Sequence, residues 1–384
     1  MRAGTAAVAA ITVLAAAVWL AMSAGRHSAA PVDAPTTVEL ERARPRSADE
    51  RVVSDATRRQ ALARARVWPR SRPSSDAEPF RTTTVNEVSC RFLVTRLGGT
   101  TPKFDCVLEN GETLRVKYGI AAEIPSEAAA TRLARALGFP SDRITLVERL
   151  RCHGCPSDPF TTMKTVDAAH AGSLFAHTVD YGEYRDFDWV AIERKYDGQP
   201  IETTTQQGWE FHELDQVDPS RGGAPRAHVD ALRLLAAFLS HWDNKSENQR
   251  LVCVSRPWPD DVPCPEPLLI LHDLGAAFGP QKVDLDGWST NGIWGDRATC
   301  TLSMQRLPYH GGTFTDVRVG EPGRQLFIAR LRRISAADAA DIFAGARFDQ
   351  KRGLFSDVRP VADWVRAFRT RVAMITDGPP CPAL

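Results

Sequence analysis

From Cys90 to Tyr118 apolar and polar positions alternate in three short runs, Cys90 to Leu97, Phe104 to Leu108 and Thr113 to Tyr118. A period of two, broken by Gly98-Gly99-Thr100-Thr101-Pro102 and by Asn110-Gly111, predicts a three-stranded meander, with Asn-Gly as a strong hairpin signal. The period then lengthens. Ala130, Leu133, Ala134 and Leu137 recur at helical spacing behind Pro125-Ser126, which predicts a helix with Ser126 as its N-cap and Gly138 as its stop. Ile144 to Leu150 and Trp189 to Lys195 read as further strands. Between them, Thr161 to Tyr184 reads as an insertion without nameable chemistry. Asp197-Gly198-Gln199-Pro200 marks a turn into a second region.

That second region is patterned mainly as helix. Val229, Leu232, Leu235, Ala236 and Leu239 share one face of a helix from Pro225 to Ser240, and further helices are predicted at Ser335 to Ala346 and Pro360 to Ile375. The continuous apolar run from Leu268 to His272 is short enough for a buried strand. The fold class expected is therefore α+β, with a small antiparallel-sheet lobe bearing one main helix over 81–195 and a larger, mostly helical lobe over 196–384.

The first 80 residues differ from this pattern. Ala3 to Gly25 carry no charge and follow Arg2, the layout of a signal peptide or signal anchor over residues 1–25. Cleavage after Ser23 is weakly signalled, and Arg26, Arg42 and Arg44 oppose Arg2 in the positive-inside count. Residues 26–80, rich in Ala, Arg, Pro and Ser, read as a flexible linker with a short helix over Ala56 to Val67. Membrane association is expected only through the N-terminal segment.

The whole chain of 384 residues is 43% hydrophobic and 25% charged, with a formal net charge of +1. Nothing in that balance calls for a nucleic-acid partner. Eight cysteines, an even number, suit an oxidising compartment and hence an exported protein. Cys90 with Cys106 and Cys253 with Cys264 would close short loops, which leaves Cys152 for Cys155 and Cys300 for Cys381. Cys152-His153-Gly154-Cys155 also admits half a zinc site or a redox pair, although no second metal-binding half completes a set.

The candidate chemistry lies between His241 and Gly279. The loop His241-Trp242-Asp243-Asn244-Lys245-Ser246-Glu247-Asn248 is followed, past an insert, by His272-Asp273-Leu274-Gly275. Phosphoryl transfer needs a carboxylate to orient the acceptor hydroxyl and hard oxygen donors to hold a metal against the phosphates. Asp243 supplies the first, and Asn248 with Asp273 supplies the second. Lys245 offers a cation for the transition state. Asp, Asn and Lys also gather in plain solvated turns, so the loop alone admits that reading too. Trp288, Trp294 and His310 either line an acceptor pocket or, as the favoured reading, form aromatic core.

Spacing and order in this stretch resemble the catalytic loop and metal-binding turn of the protein-kinase-like superfamily. The helix motif Glu127-x-x-x-x-Arg132-Leu133-Ala134-Arg135-x-Leu137-Gly138 is similar to that of HipA-type and other atypical kinases, and the cysteines resemble those of secretory-pathway kinases. The resemblance covers about residues 85 to 280 and implies a two-lobed fold with ATP and Mg²⁺ or Mn²⁺. It implies Lys117, ending the third strand, and Glu127, on the following helix, at the phosphates. Glu127 is equally favourable near a helix N-terminus against the dipole alone. Gly98 and Gly99 would let backbone approach the phosphates or would serve as turn residues only. The backbone about Glu193 would meet the adenine edge. Trp242 replaces the usual Arg, and no peptide-docking segment follows Gly275, so the phosphoryl acceptor is left open as a protein, glycan or small molecule. The expected function is that of an exported atypical kinase. The alternatives are an inactive pseudokinase serving as a nucleotide- or partner-binding module and a thiol redox protein using Cys152 and Cys155.

Overall fold

A computed structural model describes residues 27–28, 52–69, 85–255, 258–259, 262–308, 312–350 and 358–383. In chain order the elements that matter are α1 (Asp55–Ala63), β1 (Val85–Leu93), β2 (Lys103–Val107), β3 (Thr113–Lys117), α2 (Glu123–Ala136), β4 (Arg143–His153), α3 (Pro159–Ala168) and β5 (Glu183–Arg194). There follow α4 (Arg226–Leu239), β6 (Gln249–Cys253), β7 (Pro267–Leu271), α5 (Leu285–Thr290), α6 (Glu321–Leu331), α7 (Ala336–Gly345) and α8 (Val361–Thr376). The chain is α+β and divides into two compact units. One comprises chiefly Thr84–Gly119 and Thr145–Glu193, the other chiefly Ala48–Thr83, Ile120–Ile144 and Arg194–Leu384.

The first unit contains the expected meander, β1 against β2 against β3, all antiparallel. It is not an open sheet, however. β5 pairs with β3, with Arg115 opposite Glu193, while β4 runs parallel to β1 from Val85 opposite Val147 to Arg91 opposite His153. Because β4 also pairs with β5, the five strands close into a barrel. Closure removes both sheet edges, and a five-stranded barrel is narrow enough for side chains to fill. Phe92, Phe104, Leu114, Val116, Val147, Leu150, Val190 and Ile192 do so, none more than 1% exposed. Cys90–Cys106 ties β1 to β2, and Cys152–Cys155 closes the turn after β4. The stretch from Thr161 to Tyr184 is structural: α3 and the short helix Gly172–Ala176 send Met163, Val166 and Phe175 into the same core.

The second unit corrects three expectations. The main helix, α2, belongs to it and not to the barrel unit. It also begins at Glu123, ahead of the expected cap Ser126, because Ser126 Oγ is engaged with the backbone N–H and carbonyl of Ala277 at 3.3 and 3.2 Å. Residues 52–69, expected within a flexible linker, are instead built into this unit. Ser54 caps α1, Leu62 and Ala65 are fully buried, and Arg58 forms a buried pair with Glu213 through contacts of 2.7 and 2.8 Å. The short helix expected over Ala56 to Val67 is α1, and what local pattern did not reveal is its anchoring in the fold through a guanidinium.

α4 is the central element, packed on α6. Gly323 makes that approach close, since a Cβ there would stand 2.4 Å from Asp230 Cβ. α6 was not expected, and its Pro322 falls in the first turn, where proline is well tolerated. α7 and α8 lie where periodicity puts them, α7 opened by a Ser335–Asp338 capping box. The expected N-terminal signal or anchor lies outside the described residues. Among the described residues, no helix is long and apolar enough to cross a membrane.

Candidate active site

The site begins with the way α4 ends. Ser240 adopts a left-handed conformation at φ 57°, and the N–H groups of Ser240 and His241 donate to the carbonyls of Ala237 and Ala236 at 3.1 and 2.9 Å. This is a Schellman termination, with serine at a position usually held by glycine. The remaining carbonyls of the last turn are also taken. Leu239 O accepts Phe278 N–H at 2.8 Å, and Phe238 O accepts Trp288 Nε1–H at 3.0 Å and Arg371 Nε–H at 2.7 Å. Arg371 also donates to Ala237 O, Trp288 O and Asn291 O at 2.7, 2.7 and 2.8 Å. A cation at a helix C-terminus complements the dipole, here inside the core. The end of α4 is therefore held by backbone, indole and guanidinium together.

Past that end, Asn244 pins the loop. Its Oδ1 accepts the N–H groups of Thr313 and Phe314 at 2.7 and 2.8 Å, and its Nδ2 donates to His241 O at 2.7 Å. His241 is fully buried, and its Nε2 lies 2.9 Å from Gln249 Nε2. Burial pulls the imidazole down to about 4, against the opposing pull of the Asp273 carboxylate, so it is neutral near pH 7. Trp242 anchors the next turn through Nε1–H to Gly279 O at 3.2 Å. Asp243 is left half-buried, with Lys245 Nζ 3.6 Å from its Oδ1.

The β6–β7 hairpin brings the second half of the site to the first. Gln249 stands opposite Leu271, so Asn248 and His272 flank the same end of the ladder. The N–H groups of His272 and Asp273 both donate to Asn248 O, at 3.2 and 3.1 Å. Asn248 Nδ2–H donates to Asp243 O at 2.6 Å. An amide that spends its nitrogen this way presents its oxygen as the remaining donor atom. Asp273 Oδ1 accepts Gly275 N–H at 3.0 Å, which sets the turn after β7. Gly275 has no room for a side chain, since a Cβ would stand 2.3 Å from Glu123 Cγ. Asp243, Lys245, Asn248 and Asp273 thus share one backbone framework, and the amide and carboxylate oxygens suit a hard divalent cation. The Cys253–Cys264 bridge lies at the far end of the hairpin, where Cys253 faces Pro267, and closes the insert.

Behind β7 stands Asp142, fully buried, whose carboxylate accepts Tyr196 N–H at 2.6 Å, pairs with His272 Nδ1 and lies 3.5 Å from Arg250. Burial pushes this carboxyl up, but His272, Arg250 and the amide outweigh it and hold the value below the ordinary carboxylate range. Sequence reading missed Asp142, Asn244 and Arg371. Only the Asn244 position, inside the loop motif, offered a signal.

Of the other expected residues, Lys117 is buried on β3 with Glu193 as a partner, its Nζ 3.7 Å from Oε2. Glu193 was expected to serve through its backbone, and the side chain is the group that meets Lys117. Glu127 is fully buried on α2 and belongs to the other unit. Gly99 takes φ 69° with only Lys103 near it, and Gly98 has open space, so the turn uses glycine's conformational freedom at Gly99 alone. Trp288 is core, as favoured, and Trp294 is partly buried with its Nε1–H on Met374 O at 2.7 Å. His310 lies outside the described residues. The eight cysteines form four disulfides in the pairing expected, and Cys152 and Cys155 are both buried.

No protein-family model and no curated protein sequence matches this chain. Among solved structures, seven chains match it. One is the crystal structure of a proinflammatory kinase of Helicobacter pylori, CtkA, at 10% identity and a TM-score of 0.40, covering 76% of this chain and 96% of that one.

Proposed function

We propose that the chain is an exported atypical kinase that moves the γ-phosphoryl group of ATP to an acceptor hydroxyl. The observation that carries this reading is the joint framework of the second unit, in which Asn248 bonds Asp243 through its amide nitrogen and Asp273 through its backbone carbonyl. A loop that was merely solvated would have no need of a buried Asn244, a neutral buried His241 and a four-carbonyl guanidinium to fix it.

In this reading Asp243 orients the acceptor hydroxyl and receives its proton, and Lys245 faces the charge that develops on the transferred group. Asn248 and Asp273 would hold Mg²⁺ or Mn²⁺, which supplies charge neutralisation at the phosphates. Lys117 with Glu193, and Glu127, Gly98 and Gly99, take nucleotide-binding roles in the same proposal. Four disulfides support an oxidising compartment and so the export. The test is ATP binding and turnover with each metal. Asp243→Ala should lose at least a hundredfold in turnover with nucleotide affinity kept, and Asp273→Ala should lose metal-dependent affinity. Nucleotide binding with no turnover in the unsubstituted protein would instead make the domain a binding module.

A further inference from the structure

Beside the loop that carries Asp243 runs an open trough, walled on one side by Ser246 and Glu247 and on the other by the segment from Thr203 to Gln207 with Glu210. Its lining is made of hydroxyls, carboxamides and two carboxylates, with no aromatic, aliphatic or basic side chain among the lining residues. Such a lining does not suit an apolar or an anionic guest.

The wall is prepared from beneath. Thr203 Oγ1 accepts the N–H groups of Thr205 and Gln206 at 3.3 and 3.1 Å, and Thr203 N–H donates to Gln206 O at 3.0 Å. Gln206 Nε2 donates to Glu213 Oε1 at 3.2 Å, and Glu213 is held by the buried Arg58, which also donates to Gly208 O at 2.8 Å. Gly208, at φ 61°, lies flat on the catalytic loop, where a Cβ would stand 2.0 Å from Ser246 O and 2.1 Å from Gln249 O. The backbone of this wall is therefore positioned by a buried ion pair and a glycine contact, so little backbone ordering is left for a ligand to impose.

We infer that this trough is the acceptor subsite and that the acceptor is a sugar, neutral or amino-bearing. The inference rests on the phosphotransfer reading. Sugar hydroxyls donate and accept at once, as do the hydroxyls of Thr204, Thr205 and Ser246 and the carboxamide of Gln207 along the trough. Glu247 accepts from hydroxyl or ammonium groups, and with Glu210, which also meets His212 Nε2 at 2.9 Å, it disfavours phosphorylated or uronic acceptors. In the transfer, the sugar oxygen bonds to the γ-phosphorus as that phosphorus parts from the β–γ bridging oxygen. The hydroxyl proton passes to Asp243, and ADP leaves with the bridging oxygen's electron pair.

The test uses the full chain and three oligosaccharides of equal length: neutral glucan, glucosamine oligomer and oligogalacturonate. Binding is followed by saturation-transfer NMR and transfer by labelled ATP. Thr204→Trp fills the trough from an exposed position outside the catalytic loop. The neutral and amino sugars should bind at least tenfold more tightly than the uronate, and Thr204→Trp should abolish their binding, with retained nucleotide binding showing that the variant is folded. Transfer to a peptide with no sugar binding, unaffected by Thr204→Trp, would overturn the sugar assignment alone. Sugar binding that Thr204→Trp removes, with no nucleotide turnover under either metal, would keep the sugar site and remove the phosphotransfer reading.

Discussion

Replacing Arg371 by leucine tests how the catalytic loop is held. The guanidinium is fully buried and donates to four carbonyls at 2.7 to 2.8 Å, and among the described residues no carboxylate pairs with it. Burial alone lowers its pKa to about 9, so it is still charged at pH 7. Two contributions oppose each other in the variant. Four charge-assisted hydrogen bonds disappear, each worth about 1.5–3 kcal/mol, while the cost of burying the cation, of order 5 kcal/mol from the lowered value, is relieved. Ala237 O and Phe238 O keep Ser240 N–H and Trp288 Nε1–H, so only Trp288 O and Asn291 O lose this donor outright, and the four bonds less the relieved burial cost leave a net loss of about 1–7 kcal/mol. Urea denaturation at pH 7 measures it, with Arg371→Lys as the intermediate case, since an ammonium has three donors and no planar fork. A loss under about 1 kcal/mol for Arg371→Leu, with m unchanged, would refute the claim that this cation secures the end of α4.

Three further outcomes follow from the same geometry. His241 has its folded value lowered to about 4 from 6.5, so above pH 6.5 neither state binds the proton and between 6.5 and 4 only the unfolded chain does. Stability should therefore fall by about 3 kcal/mol as pH drops through that window and level off below it. Subtracting the pH profile of a His241→Asn variant isolates this contribution, and two parallel profiles would contradict it. Gly208→Ala meets two backbone oxygens at 2.0 and 2.1 Å in a left-handed conformation, so it should cost several kcal/mol or shift the loop bearing Asp243, read by thermal unfolding and by turnover. Removing the Cys300–Cys381 bridge, which spans 81 residues, should lower stability by about 4 kcal/mol, whereas removing Cys253–Cys264, which spans 11, should cost about 3 kcal/mol or less. Paired serine variants in denaturant give both values.

Several elements could be read from local pattern because local physics decides them. α4 has buried leucines and alanines at helical spacing, and the meander is set by Asn110-Gly111 and by alternation. The loop motif placed Asp243, Asn248 and Asp273 near one another, because a hairpin between Gln249 and Leu271 is the simplest way to join an apolar pair of strands. Disulfide pairing was legible for a similar reason, short loops leaving few partners.

What the sequence determined by itself was the menu of elements and the order of chemical groups along them. Only tertiary structure decided that β4 would run parallel to β1 and close a barrel, that α2 would pack with the second unit, and that residues 52–69 would be drawn into the fold by Arg58 and Glu213. It also chose the partners of Asn244, Asp142 and Arg371. These depend on contacts between residues far apart in the chain, 69 positions for Asn244 with Thr313 and 130 for Asp142 with His272. Periodicity reports which face of an element is apolar. It carries no information about which distant carbonyl or amide will meet a buried polar group, and burial turns that choice into a large energy.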